Sequence, residues 1–383
     1  MSQPQNTITN TSEEKEKILT QCTSFLSNHL NPLTNDLSYN EIVSKDENLK
    51  IICKVFEINI KSNDNSTKSI EESFSNHDIK CEFLLLRYIT EDDKHRKKLI
   101  KFINPAINKL NRYSTVIPYE YNSVPVCKDK KQRDINNYIN ASFISGPFGI
   151  TLIAAQNPME NTINSFWLMI INHNISLIVL LSYTFEESND KFIQYWPKEK
   201  EKPLSVIDPS SNKKYTIKLT AEINVIEKYV PMRTFDICEG DKVILTVKQY
   251  QFNFWEDQSI PLAQIGISIF DTLASLISDE YKQTKSPILV ECSDGIGRTG
   301  TFIGLFSLIK CLQEQKRTKI DSPVVNIFNV IRKLREERYG MVSNANQYKF
   351  IYDCFLYSLK LMSTEKRFKP RMVKNRHTTV RHP

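Results

Sequence analysis

One stretch of the chain, residues 287–304, constrains the fold more than any other. The apolar run Ile288, Leu289 and Val290 predicts a short buried strand, and an apolar segment compatible with a helix begins at Thr299. The whole chain of 383 residues has only nine glycines. Four of them lie within ten residues here, where a tight loop must join the strand to the helix: Gly295, Gly297, Gly300 and Gly304.

The side chains of this loop are suited to hold an oxyanion. Cys292 and Arg298 stand six positions apart, with glycines between them. Successive N–H groups can form an anion-binding nest, the following helix adds its positive dipole end, and Arg298 can donate two hydrogen bonds to a phosphate. Positive potential of this kind lowers the pKa of a thiol, which makes Cys292 a candidate nucleophile. The alternative is a buried cysteine before a helix, with Arg298 as a surface charge; the S-x-G-x-G and T-G patterns around the pair disfavour it.

Residues 292–300, with the sequence CSDGIGRTG, resemble the signature loop of the tyrosine-specific protein tyrosine phosphatases. The resemblance implies an α/β (α+β) fold, in which a single phosphatase domain has a central, highly twisted mixed β-sheet flanked by helices. The C-x5-R loop would lie between a strand and a helix. Catalysis by Cys292 is implied, with Thr299 hydrogen-bonded to its sulfur and with no metal or cofactor. The implied phosphate-binding residues are Ser293, Asp294, Gly295, Ile296, Gly297 and Arg298.

Two further segments resemble loops of the same family. Residues 111–120, NRYSTVIPYE, resemble its phosphotyrosine-recognition loop. The resemblance implies that Tyr113 stacks on the substrate ring and deepens the pocket, whereas a lone tyrosine could equally be an ordinary core residue. Residues 249–261 resemble the mobile acid loop, which implies that Trp255 is its hinge aromatic and Asp257 the general acid. The leaving phenol oxygen requires such a proton donor.

Supporting residues are implied on both sides of the acid loop. The spacing of Glu186 and Lys191 resembles that of two family residues. Glu186 matches an acid that pairs with the signature arginine, and Lys191 matches a lysine near the general acid. The alternative is that both are ordinary charges on a polar turn. Toward the C-terminus, Gln347 matches a glutamine expected to orient the hydrolytic water. Another family glutamine with that task is replaced by Ser343 here.

Two acidic residues depart from the family pattern at the signature loop itself. Glu291 stands where the family has histidine, and a carboxylate there is expected to raise the pKa of Cys292. Asp294 adds negative charge where a phosphate dianion must bind. Two functions therefore stay open: a protein-tyrosine phosphatase working through a phosphocysteine on Cys292 with Asp257 as acid and base, or an impaired domain that binds phosphotyrosyl proteins without efficient turnover. Dual-specificity activity is disfavoured because Tyr113 implies a deep pocket.

The resemblance divides the chain into an N-terminal extension (1–80), the phosphatase domain (81–362) and a basic tail (363–383). The net charge of +7 equals the seven lysine and arginine residues of 366–383, a part of the tail without acidic residues that could weakly contact acidic surfaces. The expected partners are phosphotyrosine-containing proteins, with no nucleic acid. No apolar run is long enough to cross a bilayer. Eight scattered cysteines without a CxxC pair favour a reducing compartment, and we expect a soluble cytoplasmic protein.

Overall fold

The computed structural model describes residues 56–59, 78–91, 104–128, 135–182, 192–226, 229–253, 255, 263–318 and 324–363. The helices are α1 (Ile79–Thr90), α2 (Pro105–Asn108), α3 (Ile163–Asn172), α4 (Ala263–Thr284), α5 (Gly297–Arg317), α6 (Ile327–Glu337) and α7 (Ala345–Ser363). The strands are β1 (Ile58–Asn59), β2 (Ala141–Ser145), β3 (Thr151–Gln156), β4 (Leu177–Leu180), β5 (Leu204–Ile207), β6 (Lys214–Ile226), β7 (Val230–Glu239), β8 (Lys242–Gln251), β9 (Ile288–Cys292) and β10 (Val324–Val325).

Eight of the strands form one mixed sheet in the order β2-β3-β9-β4-β8-β7-β6-β5. The four neighbours β3, β9, β4 and β8 run parallel, and the remaining pairs are antiparallel. Strand β9, which ends at Cys292, lies in the interior of the sheet between β3 and β4. The predicted mixed sheet with flanking helices is confirmed, and so is the signature loop between a strand and a helix.

Strand β9 is buried on both faces and directs consecutive side chains to opposite sides of the sheet. Ile288, Val290 and Cys292 belong to the larger hydrophobic cluster, which includes residues of α5. Leu289 belongs to the second cluster, around α3 on the other face. Glu291 follows the same alternation, so its side chain lies on the face opposite to the Cys292 sulfur.

Part of the predicted N-terminal extension packs on the domain. Phe56 and Ile58 are buried, β1 pairs with β10, and the Phe56 ring lies 4.6 Å from that of Phe328. Helix α1 begins after Asp78, whose side chain accepts hydrogen bonds from the backbone N–H groups of residues 80 and 81. Residues 364–383, which include nearly all of the predicted basic tail, lie outside the described residues. Among the helices of the described ranges, none combines the length and the apolarity needed to span a membrane.

Candidate active site

The loop between β9 and α5 passes so close to the sheet that Gly295 has no room for a side chain. Gly295 has a φ of +69°, and a Cβ on it would lie 2.4 Å from the carbonyl carbon and oxygen of Ala155 in β3. On the other side, a Cβ on Gly300 would lie 2.5 Å from the backbone nitrogen of Val342. The loop is therefore held between the sheet and the segment that precedes α7.

The Cys292 thiol lies at the bottom of this loop and is almost fully buried. The Thr299 hydroxyl donates to its Sγ at 3.1 Å. Burial and, after it, the Asp294 charge raise the pKa of Cys292 to about 12, although Arg298 and Thr299 oppose the rise. The sequence prediction of a lowered thiol pKa was therefore wrong for this state, because burial and Asp294 outweigh the positive potential of the loop.

The Asp294 carboxylate occupies the anion-binding nest that the N–H groups of its own loop form. Its Oδ1 accepts hydrogen bonds from the backbone N–H groups of Ile296 (2.9 Å) and Gly297 (3.2 Å). The same oxygen accepts from the Cys292 thiol at 3.2 Å. The N–H groups at the start of α5 thus converge on a carboxylate oxygen beside the sulfur, which is the arrangement of an oxyanion site.

Arg298 connects the signature loop to the hinge of the predicted acid loop. Its side chain is buried, and Nη1 donates to the carbonyl oxygen of Trp255 at 3.0 Å. Trp255 is itself fully buried, with its ring 5.3 Å from that of Phe270 and 5.9 Å from that of Phe350. The predicted general acid and its supporting charges lie outside the described residues: Asp257, Glu186 and Lys191.

Tyr113 lies beside the signature loop. Its hydroxyl is 3.4 Å from the Oγ of Ser293. The neighbouring Arg112 fixes its segment: the backbone N–H donates to Gln156 Oε1 at 3.0 Å, and the guanidinium donates to the carbonyl oxygen of Pro158 at 3.0 Å. These bonds hold the backbone beside Tyr113 against the end of β3. Tyr113 therefore lies next to the phosphate-binding loop of residues 292–298, which we call the cradle.

Gln347 also reaches the loop. Its Oε1 accepts from the N–H and from the hydroxyl of Ser343, both at 3.0 Å. A Cβ on Gly297 would lie 3.1 Å from Gln347 Nε2 and 2.8 Å from Ser343 Oγ, so both side chains contact the first residue of α5. The same position is 3.3 Å from Gln347 Oε1, so the whole amide of Gln347 lies against the start of α5.

Arg338 is a site residue that the sequence analysis did not include. Its buried guanidinium donates to the carbonyl oxygen of Gly295 at 2.8 Å, to that of Asp294 at 3.2 Å and to Asn140 Oδ1 at 2.7 Å. Burial lowers its pKa to about 10, and the Asp294 charge opposes that change. Arg338 orients two carbonyl groups of the loop outward, which leaves the N–H groups pointing inward. The signal available in the sequence was the R-x-x-R pattern that Arg338 forms with Arg335.

Glu291 is part of a buried polar network behind the loop, which the sequence analysis also missed. The Tyr195 hydroxyl donates to its Oε1, Asn157 Nδ2 donates to its Oε2 at 3.4 Å, and Gln249 Nε2 donates to the Tyr195 oxygen at 2.8 Å. Burial raises the pKa of Glu291 to about 8, against the effect of these bonds and of the Arg112 charge.

The expected effect of Glu291 on the nucleophile is corrected by this geometry. The carboxylate whose charge raises the Cys292 pKa is that of Asp294, in the cradle. Glu291 lies on the other face of β9, and its carboxyl contacts Tyr195 and Asn157 instead of the sulfur.

Comparison with known proteins identifies the family of the chain. The model of the protein-tyrosine phosphatase family matches residues 107–357. Receptor-type tyrosine-protein phosphatase V of Rattus norvegicus is 33% identical over 251 residues, covering 64% of this chain and 13% of that protein. Receptor-type tyrosine-protein phosphatase S of Gallus gallus is 31% identical over 278 residues (71% and 17%). Tyrosine-protein phosphatase non-receptor type 20 of Homo sapiens is 30% identical over 306 residues (78% and 64%).

The chain belongs to the protein-tyrosine phosphatase family, since the family model matches well over half of it. It spans less than two thirds of the length of each of these relatives.

Proposed function

We propose that the chain is a protein-tyrosine-phosphate phosphohydrolase with Cys292 as nucleophile. The observation that carries the proposal is the position of the Asp294 carboxylate oxygen, 2.9 Å from the Ile296 nitrogen and 3.2 Å from the Cys292 sulfur. A phosphoryl group that displaces this carboxylate meets the same N–H donors with its oxygens. Its phosphorus then lies within reach of the sulfur.

In the first step, the Cys292 thiolate attacks phosphorus. The new S–P bond forms as the bond from phosphorus to the phenol oxygen breaks, and Asp257 gives its proton to that oxygen. Arg298 and the loop N–H groups balance the charge on the equatorial oxygens. The role of Asp257 rests on its position two residues after Trp255 in the sequence.

In the second step, water attacks phosphorus and the S–P bond breaks. The Cys292 thiolate leaves with the help of the Thr299 hydroxyl, which already donates to the sulfur. The proton of the water passes to Asp257, and inorganic phosphate is released. Gln347 orients the water, since its amide lies against Gly297 at the edge of the cradle.

The substrate class follows from Tyr113. A tyrosine ring at the rim of a buried nucleophile selects a long aryl phosphate, because a shorter serine or threonine phosphate does not reach the sulfur. Phosphotyrosine-containing proteins are therefore the proposed partners. We place the reaction in a reducing compartment such as the cytoplasm, where the six described cysteines, all free thiols, stay reduced.

A second candidate function is supported by Asp294 itself. Its carboxylate occupies the donors that a phosphate needs and raises the thiol pKa, which disfavours the thiolate. With these two effects dominant, the domain binds phosphotyrosyl proteins and shields them without efficient turnover.

Hydrolysis of p-nitrophenyl phosphate and of a phosphotyrosyl peptide by the full chain decides between the two functions. For the phosphatase we expect turnover that Cys292→Ser abolishes, while the peptide still binds to this variant. Absence of turnover by the wild-type chain across pH 5–9, together with peptide binding, would establish the binding function instead.

A further inference from the structure

Helix α1 lies before residues 107–357, which the family model matches, yet it contacts the segment that carries Gln347. The first contact is made by Glu82, whose side chain is fully buried. Its Oε2 accepts from the hydroxyl of Tyr348 at 2.9 Å and from that of Tyr352 at 2.5 Å. Tyr348 directly follows Gln347 at the start of α7, so this carboxylate fixes the helix turn from which Gln347 projects.

The second contact is made at the other end of α1. The Glu91 carboxylate accepts from Nη2 of the buried Arg335, and the Thr90 hydroxyl accepts from its Nε at 2.8 Å. Nη1 of Arg335 donates to the carbonyl oxygens of Met341 (3.1 Å) and Val342 (3.0 Å). One guanidinium therefore joins α1 to the two residues that precede Ser343.

The backbone that Arg335 holds is strained. Val342 has a φ of 59°, in the left-handed region, where a β-branched residue is a genuine outlier. Its N–H donates to the carbonyl oxygen of Ile296 in the signature loop at 3.0 Å, and its own carbonyl oxygen accepts from Arg335. Strain of this kind persists only where the surroundings fix it, and it marks functional segments.

Gln347 stands between the two contacts. Arg335 holds the chain before Ser343, Tyr348 holds it after Gln347, and both depend on acidic side chains at α1. We propose that Glu82 and Glu91 are positioning residues for the hydrolysis of the phosphocysteine, which set the Gln347 amide against the signature loop. This inference rests on the proposed phosphatase function and concerns its second step alone.

The expected defect is specific because Gln347 acts on the water and not on the aryl phosphate. Formation of the S–P bond uses Cys292, Arg298, Asp257 and the loop N–H groups, whereas the carboxylates of Glu82 and Glu91 accept hydrogen bonds from Tyr348, Tyr352 and Arg335. Displacing the Gln347 amide therefore slows the attack of water on phosphorus and leaves the first step unchanged. Geometry errors of about 1 Å at such a group cost up to about 100-fold in rate.

Glu91→Gln tests the inference with Arg87→Gln as its control. Glu91 also accepts from Arg87, through Nε at 3.0 Å and Nη2 at 2.9 Å, so both variants remove an ion pair of the same carboxylate. Only Glu91→Gln removes the pair with Arg335. Rapid-quench kinetics with radiolabelled p-nitrophenyl phosphate measure formation and decay of the phosphocysteine separately. We expect decay to slow by about tenfold in Glu91→Gln and to change by less than about twofold in Arg87→Gln, with formation unchanged in both.

A second matched pair keeps the inference testable where Glu91→Gln is too unstable to measure. Tyr348→Phe and Tyr352→Phe each remove one hydroxyl from the same oxygen of Glu82, but only Tyr348 adjoins Gln347. We expect phosphocysteine decay to slow more in Tyr348→Phe than in Tyr352→Phe, at similar losses of melting temperature.

Wild-type decay rates in Glu91→Gln and Tyr348→Phe would overturn the positioning role alone. Equal slowing of formation and decay would also overturn it, since that pattern indicates a general loss of structure. A wild-type chain that forms no phosphocysteine would instead overturn the proposed function, and the positioning role with it.

Discussion

Two acidic residues three positions apart, Glu291 and Asp294, mark the two sides of the nucleophile strand. Asp294 lies on the cradle side, where its oxygen contacts the Cys292 sulfur and two loop N–H groups. Glu291 lies on the rear side, where it contacts Tyr195 and Asn157. One carboxylate therefore acts on the nucleophile directly, and the other acts on the packing behind it. The lesson is that the face of the strand, more than the distance along the chain, decides what a charge does.

The strongest test of the cradle side is Arg298→Lys. Lysine keeps the positive charge but loses the planar pair of donors, and it loses the bond to the Trp255 carbonyl oxygen. We expect kcat/KM for p-nitrophenyl phosphate to fall by about 100- to 1000-fold. A loss of only a few fold would show that the charge alone, without its geometry, stabilises the transferring phosphoryl group.

The next largest effect, of opposite sign, is expected from Asp294→Ala. Removing a like charge beside the sulfur lowers the Cys292 pKa and frees the loop N–H groups. We expect kcat/KM at pH 7 to rise by about 10- to 100-fold, which corresponds to one to two pKa units. Asp294→Asn is the matched control, because it removes the charge and keeps a hydrogen-bond acceptor. A fall in rate in both variants would show that the carboxylate assists the reaction.

On the rear side, we expect a change at Glu291 to alter the stability of the fold more than the rate of catalysis. The pKa of Glu291 in the folded state, about 8, lies above the ordinary value of 4.5, so between these two pH values the folded protein holds a proton that the unfolded chain has lost. The stability that protonated Glu291 contributes is fully present below pH 4.5 and is lost as the pH rises toward 8. Over this range the free energy of unfolding falls by up to about 1.4 kcal/mol per pH unit.

Urea unfolding of the wild-type chain and of Glu291→Gln at pH 5 to 8.5 measures that slope. The difference between the two proteins isolates Glu291 from other titrating groups, such as His173, whose pKa is lowered by burial. A difference that stays constant with pH would contradict the raised pKa.

The smallest effect is expected for Tyr195→Phe. Glu291 loses one of its two donors and Gln249 loses an acceptor, which we expect to destabilise the fold by about 1 kcal/mol. Because the Tyr195 hydroxyl faces away from the cradle, kcat/KM should change by less than about threefold, within the range of an indirect effect. A drop as large as that of Arg298→Lys would remove the distinction between the two sides of the strand.

The sequence predicts well what neighbours in the chain determine. Cys292, Thr299 and Arg298 share one strand–loop–helix unit, so their proximity followed from local geometry, as did the close packing at Gly295. The mixed sheet followed from the family resemblance. Asp294 was predicted as an unfavourable charge, but its capture of the loop N–H groups depends on a side-chain rotamer that composition does not reveal.

Long-range contacts account for what the sequence did not predict. The bond from Tyr195 to Glu291 joins residues from separate parts of the chain, and so does that from Arg338 to the Gly295 carbonyl oxygen. Helix α1 begins at the predicted boundary between the N-terminal extension and the domain, and nothing local in the sequence indicates that Glu82 meets Tyr348. The assignments of Asp257, Glu186 and Lys191 remain predictions from the sequence.

The position of β9 in the interior of the sheet has a consequence for the order in which this protein folds and unfolds. Its backbone pairs on one side with β3 (Leu152 with Ile288) and on the other with β4 (Leu177 with Ile288), segments that lie far away in the sequence. Contacts of such high contact order form late and slowly. The amide hydrogens of β9 should therefore exchange with solvent only through global unfolding. During refolding, the nucleophile should gain its reactivity only once the central sheet is complete.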